Sequence, residues 1–213
     1  MPTITQIKSS RIWHSNKKVG SWVSLGVMGP AFNRLWASSI VSNLSDGILI
    51  AAAPLLAISL TDSTVLISAV SAMVMLPWLL FAIPIGVLVD RVDRRFILAG
   101  ANATRSAIVG VLALLIATDH VTIYWLLVAS FVIGVCEVAA DTTAQSLIPQ
   151  ILEEKNFEKG NSRLQISETV IQGFVGAPLS GFIYAIAIAL PFFINSLGLA
   201  VASLLALSIT VKY

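Results

Sequence analysis

Residues 86–98 read GVLVDRVDRRFIL, and this stretch decides the fold because a dense group of charges interrupts two long apolar segments. Five of the six residues from 90 to 95 are charged: Asp90, Arg91, Asp93, Arg94 and Arg95. About 20 apolar residues are enough for a helix to cross the hydrocarbon core of a bilayer, and each neighbouring segment reaches that length. We therefore interpret residues 90–95 as a turn at the water interface between two transmembrane helices.

The composition of the whole chain supports the same interpretation. Hydrophobic residues make up 57% of the 213 residues and charged residues only 11%, whereas a soluble domain contains about 25% charged residues. The single cysteine, Cys136, cannot form a disulfide framework, and together with two histidines it provides too few ligands for a metal cluster. We predict an integral membrane protein with no metal and no cofactor, and the net charge of +2 does not indicate nucleic acid binding.

Long apolar runs predict an all-α fold with six transmembrane helices. The spans are expected near residues 36–60, 66–89, 96–118, 123–147, 164–187 and 191–211. Residues 1–34 form a basic N-terminal tail in this interpretation, and residues 35–213 form the transmembrane domain. The connection between the fourth and fifth spans is predicted to contain a short interfacial helix, with Ser162 and Gln165 as a capping box for the fifth span.

The distribution of basic residues predicts the orientation in the membrane. Twelve of the thirteen Lys and Arg residues fall in the tail, in the charged turn, in the fourth connection or at the C-terminus. The first, third and fifth connections contain none. The chain is therefore expected to be a multi-pass protein of the cell membrane. By the positive-inside rule, both of its termini are expected in the cytoplasm.

Five charged residues fall inside predicted spans: Asp46, Arg105, Glu137, Asp141 and, near the entrance of the fifth span, Glu168. Such groups are costly in hydrocarbon unless they are paired or hydrated, so each is a functional candidate. Asp46, Arg105 and Glu137 are expected in one layer roughly 15 Å from the charged turn's side of the membrane. We expect Glu137 to pair with Arg105 and Asp46 to exchange protons; the alternative is a structural ion pair without a coupling role.

The charged turn and its flanks follow the spaced pattern G-x-L-x-D-R-x-G-R-R-x-x-L, with Asp93 in place of the last Gly. The matching residues are Gly86, Leu88, Asp90, Arg91, Arg94, Arg95 and Leu98. This pattern resembles the signature loop of the major facilitator superfamily, and its D-R-x-D-R-R variant is most similar to the macrolide-efflux and siderophore-exporter branch of drug:proton antiporters. The resemblance implies the N-terminal half of that fold, built as a 3+3 inverted repeat.

In proteins that this chain resembles, the signature loop acts as a latch on one conformation. The latch residues would be Gly86, Asp90, Arg91, Arg94 and Arg95, and Asp141 could receive one of the arginines. A carboxylate at a helix C-terminus, as at Asp90, is unfavourable without compensation. The alternative, that the arginines only set the topology, explains three positive charges but neither Asp90 nor Gly86.

The fifth span contains GFVGAPLSG, which partly resembles the antiporter motif G-P-x-x-G-G. Its relevant residues are Gly173, Gly176, Pro178 and Gly181. Close helix packing by small residues is the alternative explanation. The chain departs from proton-coupled drug exporters in the fourth span, where Ser130 lies about where an arginine is usual.

These observations predict an efflux-type secondary active transporter that exports a small amphipathic compound by alternating access, with protons as the coupling ion. The resemblance implies that Asp46 and Glu137 face the substrate path, and Trp78 and Phe81 are candidate aromatic contacts. The expected partners are the lipid bilayer of the bacterial inner membrane, a small-molecule substrate and a second six-helix half. The alternative is a non-transporting truncated remnant or assembly partner. We do not expect an enzyme, because neither histidine lies in a span as a base for a serine nucleophile.

Overall fold

The structure is a computed structural model that describes residues 28–210. The predicted basic tail up to residue 27, and Lys212, lie outside the described residues. Every regular element of the described part is helical, and six helices are long and apolar enough to cross a membrane, which confirms the all-α prediction. They are α1 Pro30–Leu60, α2 Thr64–Arg91, α3 Arg94–Ala117, α4 Ile123–Ile151, α5 Glu154–Ile186 and α6 Leu190–Leu207.

The connection between α4 and α5 differs from the prediction. No separate interfacial helix precedes the fifth span, because a short 3₁₀ turn begins at Glu154 and the helix then continues to Ile186. Ser162 lies inside this helix and donates a hydrogen bond to the Glu158 carbonyl at 2.8 Å, so the predicted capping box is wrong. Good helix-forming residues such as Glu158 and Lys159 extend the helix beyond its apolar part, and the drop in hydropathy is not a structural boundary.

The middle of α5 is wider than an ordinary α-helix. Residues Ser167–Gly176 form a π-helix between two α-helical segments. Pro178 follows this segment and has no N–H to donate to the preceding turn, which removes one α-helical hydrogen bond. Insertions of this kind are frequent at functional sites, and this one carries Glu168 and Gln172.

The six helices form two packed groups, and in each group the first helix comes from the other half of the chain. Helix α1 packs mainly on α5 and α6, whereas α4 packs mainly on α2 and α3, and α3 packs along α6. Within the described part of the chain, α3 and α4 are the only consecutive helices in extensive contact, whereas α2 and α3, for example, scarcely touch. This pattern is unchanged when α1–α3 are interchanged with α4–α6, as expected of a 3+3 inverted repeat.

Two reciprocal hydrogen bonds join the equivalent helices α3 and α6. The Ser106 hydroxyl donates to the Ser196 carbonyl at 2.7 Å, and the Ser196 hydroxyl donates to the Ser106 carbonyl at 2.8 Å. Such a mutual pair is what a local twofold relation between the two helices would produce. It also satisfies both hydroxyls inside an apolar bundle, where an unpaired hydroxyl would be costly.

Helices α2 and α5 are less covered than the others. Only 17% of their most apolar segments is buried, compared with 39–50% in the other four helices. Large apolar side chains on both helices point outward; they include Met75, Leu79, Ile83, Phe174 and Phe182. The two helices therefore form one uncovered side of the bundle.

Candidate functional site

A cavity of about 490 Å³ lies between α1, α2, α4 and α5, and we call it the central cavity. Its walls are mostly apolar, but they also contain five charged residues and one side-chain amide: Asp46, Arg105, Glu137, Asp141, Glu168 and Gln172. Because α2 and α5 scarcely touch each other, the cavity is not closed between these two helices. The structure thus brings all five predicted intramembrane charges to one cavity.

Arg105 and Asp46 form the ion pair at the centre of this site. The Arg105 Nη2 group donates to Asp46 Oδ1, and the exposed fractions of the two side chains are only 1% and 8%. Ser42 lies beside the pair: its hydroxyl is 3.4 Å from Asp46 Oδ2 and 3.5 Å from Arg105 Nη1. The expected pairing of Arg105 with Glu137 is therefore wrong, since the facing side of α1 presents Asp46 to the guanidinium.

Glu137 and Asp141 are the carboxylates left without a cation. They lie one turn apart on α4, both are half-buried, and neither forms an ion pair with any residue between 28 and 210. Glu168 on α5 adds a third carboxylate to the same wall. Since Arg105 is already matched by Asp46, the remaining acidic groups can attract a proton or a positively charged part of a ligand.

The apolar wall of the central cavity contains one of the two predicted aromatic contacts. Trp78 lines the cavity from α2. Phe81 does not line it and instead packs edge-to-face against Phe131 of α4, with ring centroids 6.2 Å apart and an interplanar angle of 70°. Ser130 also lines the cavity.

At the charged turn, two arginines have different partners. Arg94, the first residue of α3, is paired at 3.2 Å with Asp90 near the end of α2, and Asp90 is 74% exposed. Arg95 is paired with Asp93 at 2.7 Å and also donates to the Ile209 carbonyl at 3.2 Å, beyond the C-terminal end of α6. Arg91 is exposed on the surface. Arg95 thus holds the end of α6 to this turn.

Asp93 explains why the turn tolerates a residue other than Gly. Its carboxylate accepts a hydrogen bond from the Arg95 backbone N–H at 3.0 Å, which makes Asp93 the N-cap of α3. Capping by Asp is among the most favourable ways to begin a helix. Gly86, by contrast, has open space where a side chain would point.

Asp141 does not receive an arginine from the charged turn. Within the described part of the chain no ion pair joins them, because Arg94 and Arg95 are engaged at the helix ends. Asp141 lies ten residues before the end of α4, so about 15 Å of helix separates it from that end. It belongs to the central cavity and not to the turn.

The small residues of α5 occupy two different surfaces. A methyl group added to Gly176 would lie 2.8 Å from the Gly47 Cα, so this glycine permits the close contact of α1 with α5. A methyl group added at Gly173 or Gly181 would meet no atom within 4 Å, and Pro178 is exposed. The described residues therefore give Gly173, Pro178 and Gly181 no packing role inside the bundle.

Ser42 lies one turn before Asp46 and bridges the buried pair, and the i, i+4 spacing places both residues on one face of α1. One residue of the central cavity, Gln172, was not among the sequence candidates. Gln172 reaches the cavity from the π-helical segment of α5. The sequence contains no comparable signal for Gln172, because the π-helix changes which residues share a face.

Comparisons with known proteins agree with the helical architecture. A sequence model described as the Major Facilitator Superfamily matches residues 35–212. No curated protein and no solved structure matches the chain.

Proposed function

Since the chain belongs to the Major Facilitator Superfamily, a family of membrane transporters, we propose that it forms half of an efflux-type, proton-coupled secondary transporter. Members of this superfamily consist of two six-helix halves that rock around a central site. The six described helices correspond to one such half. The D-R-x-D-R-R turn supports assignment to the macrolide-efflux and siderophore-exporter branch.

The observation that carries the proposal is the central cavity with its excess of carboxylates. A volume of about 490 Å³ is within the range of roughly 300–1,000 Å³ that drug-sized ligands occupy. The wall combines apolar side chains and Trp78 with Glu137 and Asp141. We infer a small amphipathic substrate that carries a positive charge, because an indole face and a carboxylate both attract cations.

The arrangement of charges favours Glu137 and Asp141 as the coupling residues. Asp46 is held by Arg105 and Ser42, whereas the two α4 carboxylates have no fixed cation among the described residues. A carboxylate that can bind either a proton or a cationic substrate provides exchange of one for the other. The pair Asp46–Arg105 then positions α1 against α3 and does not itself carry the proton.

The orientation in the membrane and the uncovered faces of α2 and α5 complete the proposal. Basic residues cluster at the end that carries the charged turn, so this end and both termini are assigned to the cytoplasm of a bacterial inner membrane. The uncovered apolar faces of α2 and α5 would contact a second six-helix unit, on the same or another chain. A non-transporting assembly partner does not explain the buried charges that the cavity retains.

Efflux from cells or inverted vesicles tests the function. A fluorescent amphipathic cation should be expelled only when the complete transporter is present, and a proton uncoupler should abolish its export. Glu137→Gln and Asp141→Asn should each reduce export, whereas Glu154→Gln, an exposed change at the start of α5, should not. Export that survives both α4 substitutions, or survives the uncoupler, would overturn the coupling assignment.

A further inference from the structure

A second, smaller cavity lies between the central cavity and the end of the bundle that carries the charged turn; we call it the polar cavity. It measures about 40 Å³ and is bounded by α1, α3, α4 and α5. Since roughly 10–15 Å³ of such volume accommodates one water molecule, it has room for about three. Asn102 lies eight residues from the start of α3, which places this cavity about 12 Å inside the bundle.

The polar cavity contains a buried amide that the protein itself does not satisfy. Asn102 is 1% exposed, and neither its Oδ1 nor its Nδ2 atom has a hydrogen-bond partner among the described residues. Buried amides in folded proteins bond to protein groups or to ordered water. Asn102 lines the polar cavity, so the contents of this cavity can provide the missing hydrogen-bond partners.

The other walls of the polar cavity suit a hydrated cation. Oxygen-bearing side chains predominate, and the described lining residues include no Lys or Arg: Ser38, Ser39, Ser42, Asn43, Asp141, Gln145 and Glu168 line it beside Asn102. Two of these residues are carboxylates. Carboxylate, amide and hydroxyl oxygens are the ligands that hard cations and their water shells prefer.

Shared wall residues connect this cavity to its neighbours on both sides. Asp141 and Glu168 line both the polar cavity and the central cavity. Gln145 and Glu168 also line an outer cleft of about 310 Å³ beside the exposed residues Asn161 and Gln165 near the start of α5. The three spaces thus follow one another from the charged-turn end to the centre.

We propose that the outer cleft and the polar cavity form a hydrated passage that leads a small monovalent cation from the charged-turn end of the bundle to Asp141 and Glu168. The assignment of this passage to the cytoplasmic side rests on the proposed function. The presence of water in the passage and its accessibility to cations do not. The passage accepts a hydrated proton or sodium. It separates the cation's route from the wider, lateral opening of the central cavity between α2 and α5.

Silver ions test the passage, because Ag⁺ is a small monovalent cation that reacts with thiolates in water. The full chain carrying Cys136→Ser would receive Ala140→Cys or Ala144→Cys, both in the polar cavity, or Ala139→Cys as the matched control. All three alanines pack against one apolar cluster, but Ala139 lines neither the polar cavity nor the central cavity and alone packs against a second apolar cluster. Each variant is treated with Ag⁺ in chloride-free buffer and then denatured. Thiols that have not bound Ag⁺ are labelled with a maleimide, and mass spectrometry measures the labelled fraction.

We expect the Ala140→Cys and Ala144→Cys thiols to react at least about tenfold faster than the Ala139→Cys thiol, since a charge is strongly disfavoured in a dry apolar environment. Adding Asn102→Leu should slow the reaction at Ala140→Cys. Replacing choline by sodium should slow the reaction if sodium occupies the passage. Equal, slow reaction at all three positions would show a dry interior and overturn the passage.

The two proposals fail separately. Fast reaction at Ala140→Cys in a complete transporter that exports nothing would refute the proposed transport and leave the passage standing. Export by a protein in which Ala140→Cys reacts as slowly as Ala139→Cys would refute the passage alone. The substitutions add or remove only a few atoms, and elution as a single species in detergent confirms that each variant is folded.

Discussion

Two Arg–Asp pairs in this molecule have the same chemistry and opposite environments. The side chains of Arg105 and Asp46 are 1% and 8% exposed in the middle of the bundle, whereas those of Arg94 and Asp90 are 21% and 74% exposed at the charged turn. A buried pair is strongly interdependent because either charge alone would be left without compensation. An exposed pair contributes little, since water and salt replace the partner. The location therefore decides whether such a pair holds the fold or is available for a switch.

Removing one member of the buried pair should have the largest effect on stability. Arg105→Leu leaves Asp46 buried without its cation, and we expect a loss of about 3–5 kcal/mol in the free energy of unfolding. Thermal unfolding in detergent measures it. The double variant Arg105→Leu with Asp46→Leu should recover most of the loss, because an apolar pair needs no compensation. A single variant as stable as the unaltered protein would contradict the pairing.

The backbone contact beside Asp46 should be the next most sensitive feature. A methyl group at Gly47 would lie 2.9 Å from the Gly176 Cα, so Gly47→Ala must separate α1 from α5. We expect a loss of roughly 1–3 kcal/mol. The matched control is Gly100→Ala on α3, where the added methyl group meets no atom within 4 Å. Equal unfolding temperatures for the two variants would show that α1 and α5 are not in such close contact.

Arg95 offers an intermediate case, since it belongs to the turn but bonds to the end of α6. Arg95→Ala removes the bonds to Asp93 and to the Ile209 carbonyl, and we expect a loss of about 1 kcal/mol. Hydrogen exchange should increase in the last turn of α6. Arg91→Ala, on the exposed surface of the same turn, serves as the control and should change neither quantity. Unaltered exchange in the Arg95 variant would contradict the capping interaction.

Breaking the exposed pair should have the smallest effect on stability. A loss of export in this variant can therefore be distinguished from a loss of folding. Asp90→Asn should change the free energy of unfolding by less than about 1 kcal/mol. If Asp90 is part of a latch, export should nevertheless fall by about tenfold, which corresponds to ~1.4 kcal/mol of bias between two conformations. Asp62→Asn, in the first connection at the opposite end, is the control. Normal export by the Asp90 variant would exclude the latch.

Much of the architecture was predictable from hydropathy and charge. The six helices, the charged turn and the common depth of Asp46, Arg105 and Glu137 follow from counting residues along apolar runs, whereas the family resemblance implied that Asp46 and Glu137 face a cavity. The partner of Arg105 did not follow, because Asp46 and Glu137 are at similar depth and only the rotation of α1 and α4 about their axes selects between them. The continuous α5 was also missed, since a polar helical extension and a separate interfacial helix have the same composition.

The sequence by itself determined the environment: a chain with 57% hydrophobic and 11% charged residues must place its spans in lipid, and a turn with five charges must lie in water. Those outcomes depend on local transfer free energies, which are sums over neighbouring residues. Only the tertiary structure decided that Arg105 faces Asp46, that Asn102 faces a small cavity and that Glu168 joins both cavities. These contacts depend on the angle at which each helix packs, and that angle is set by residues distant in the chain, such as Gly47 against Gly176.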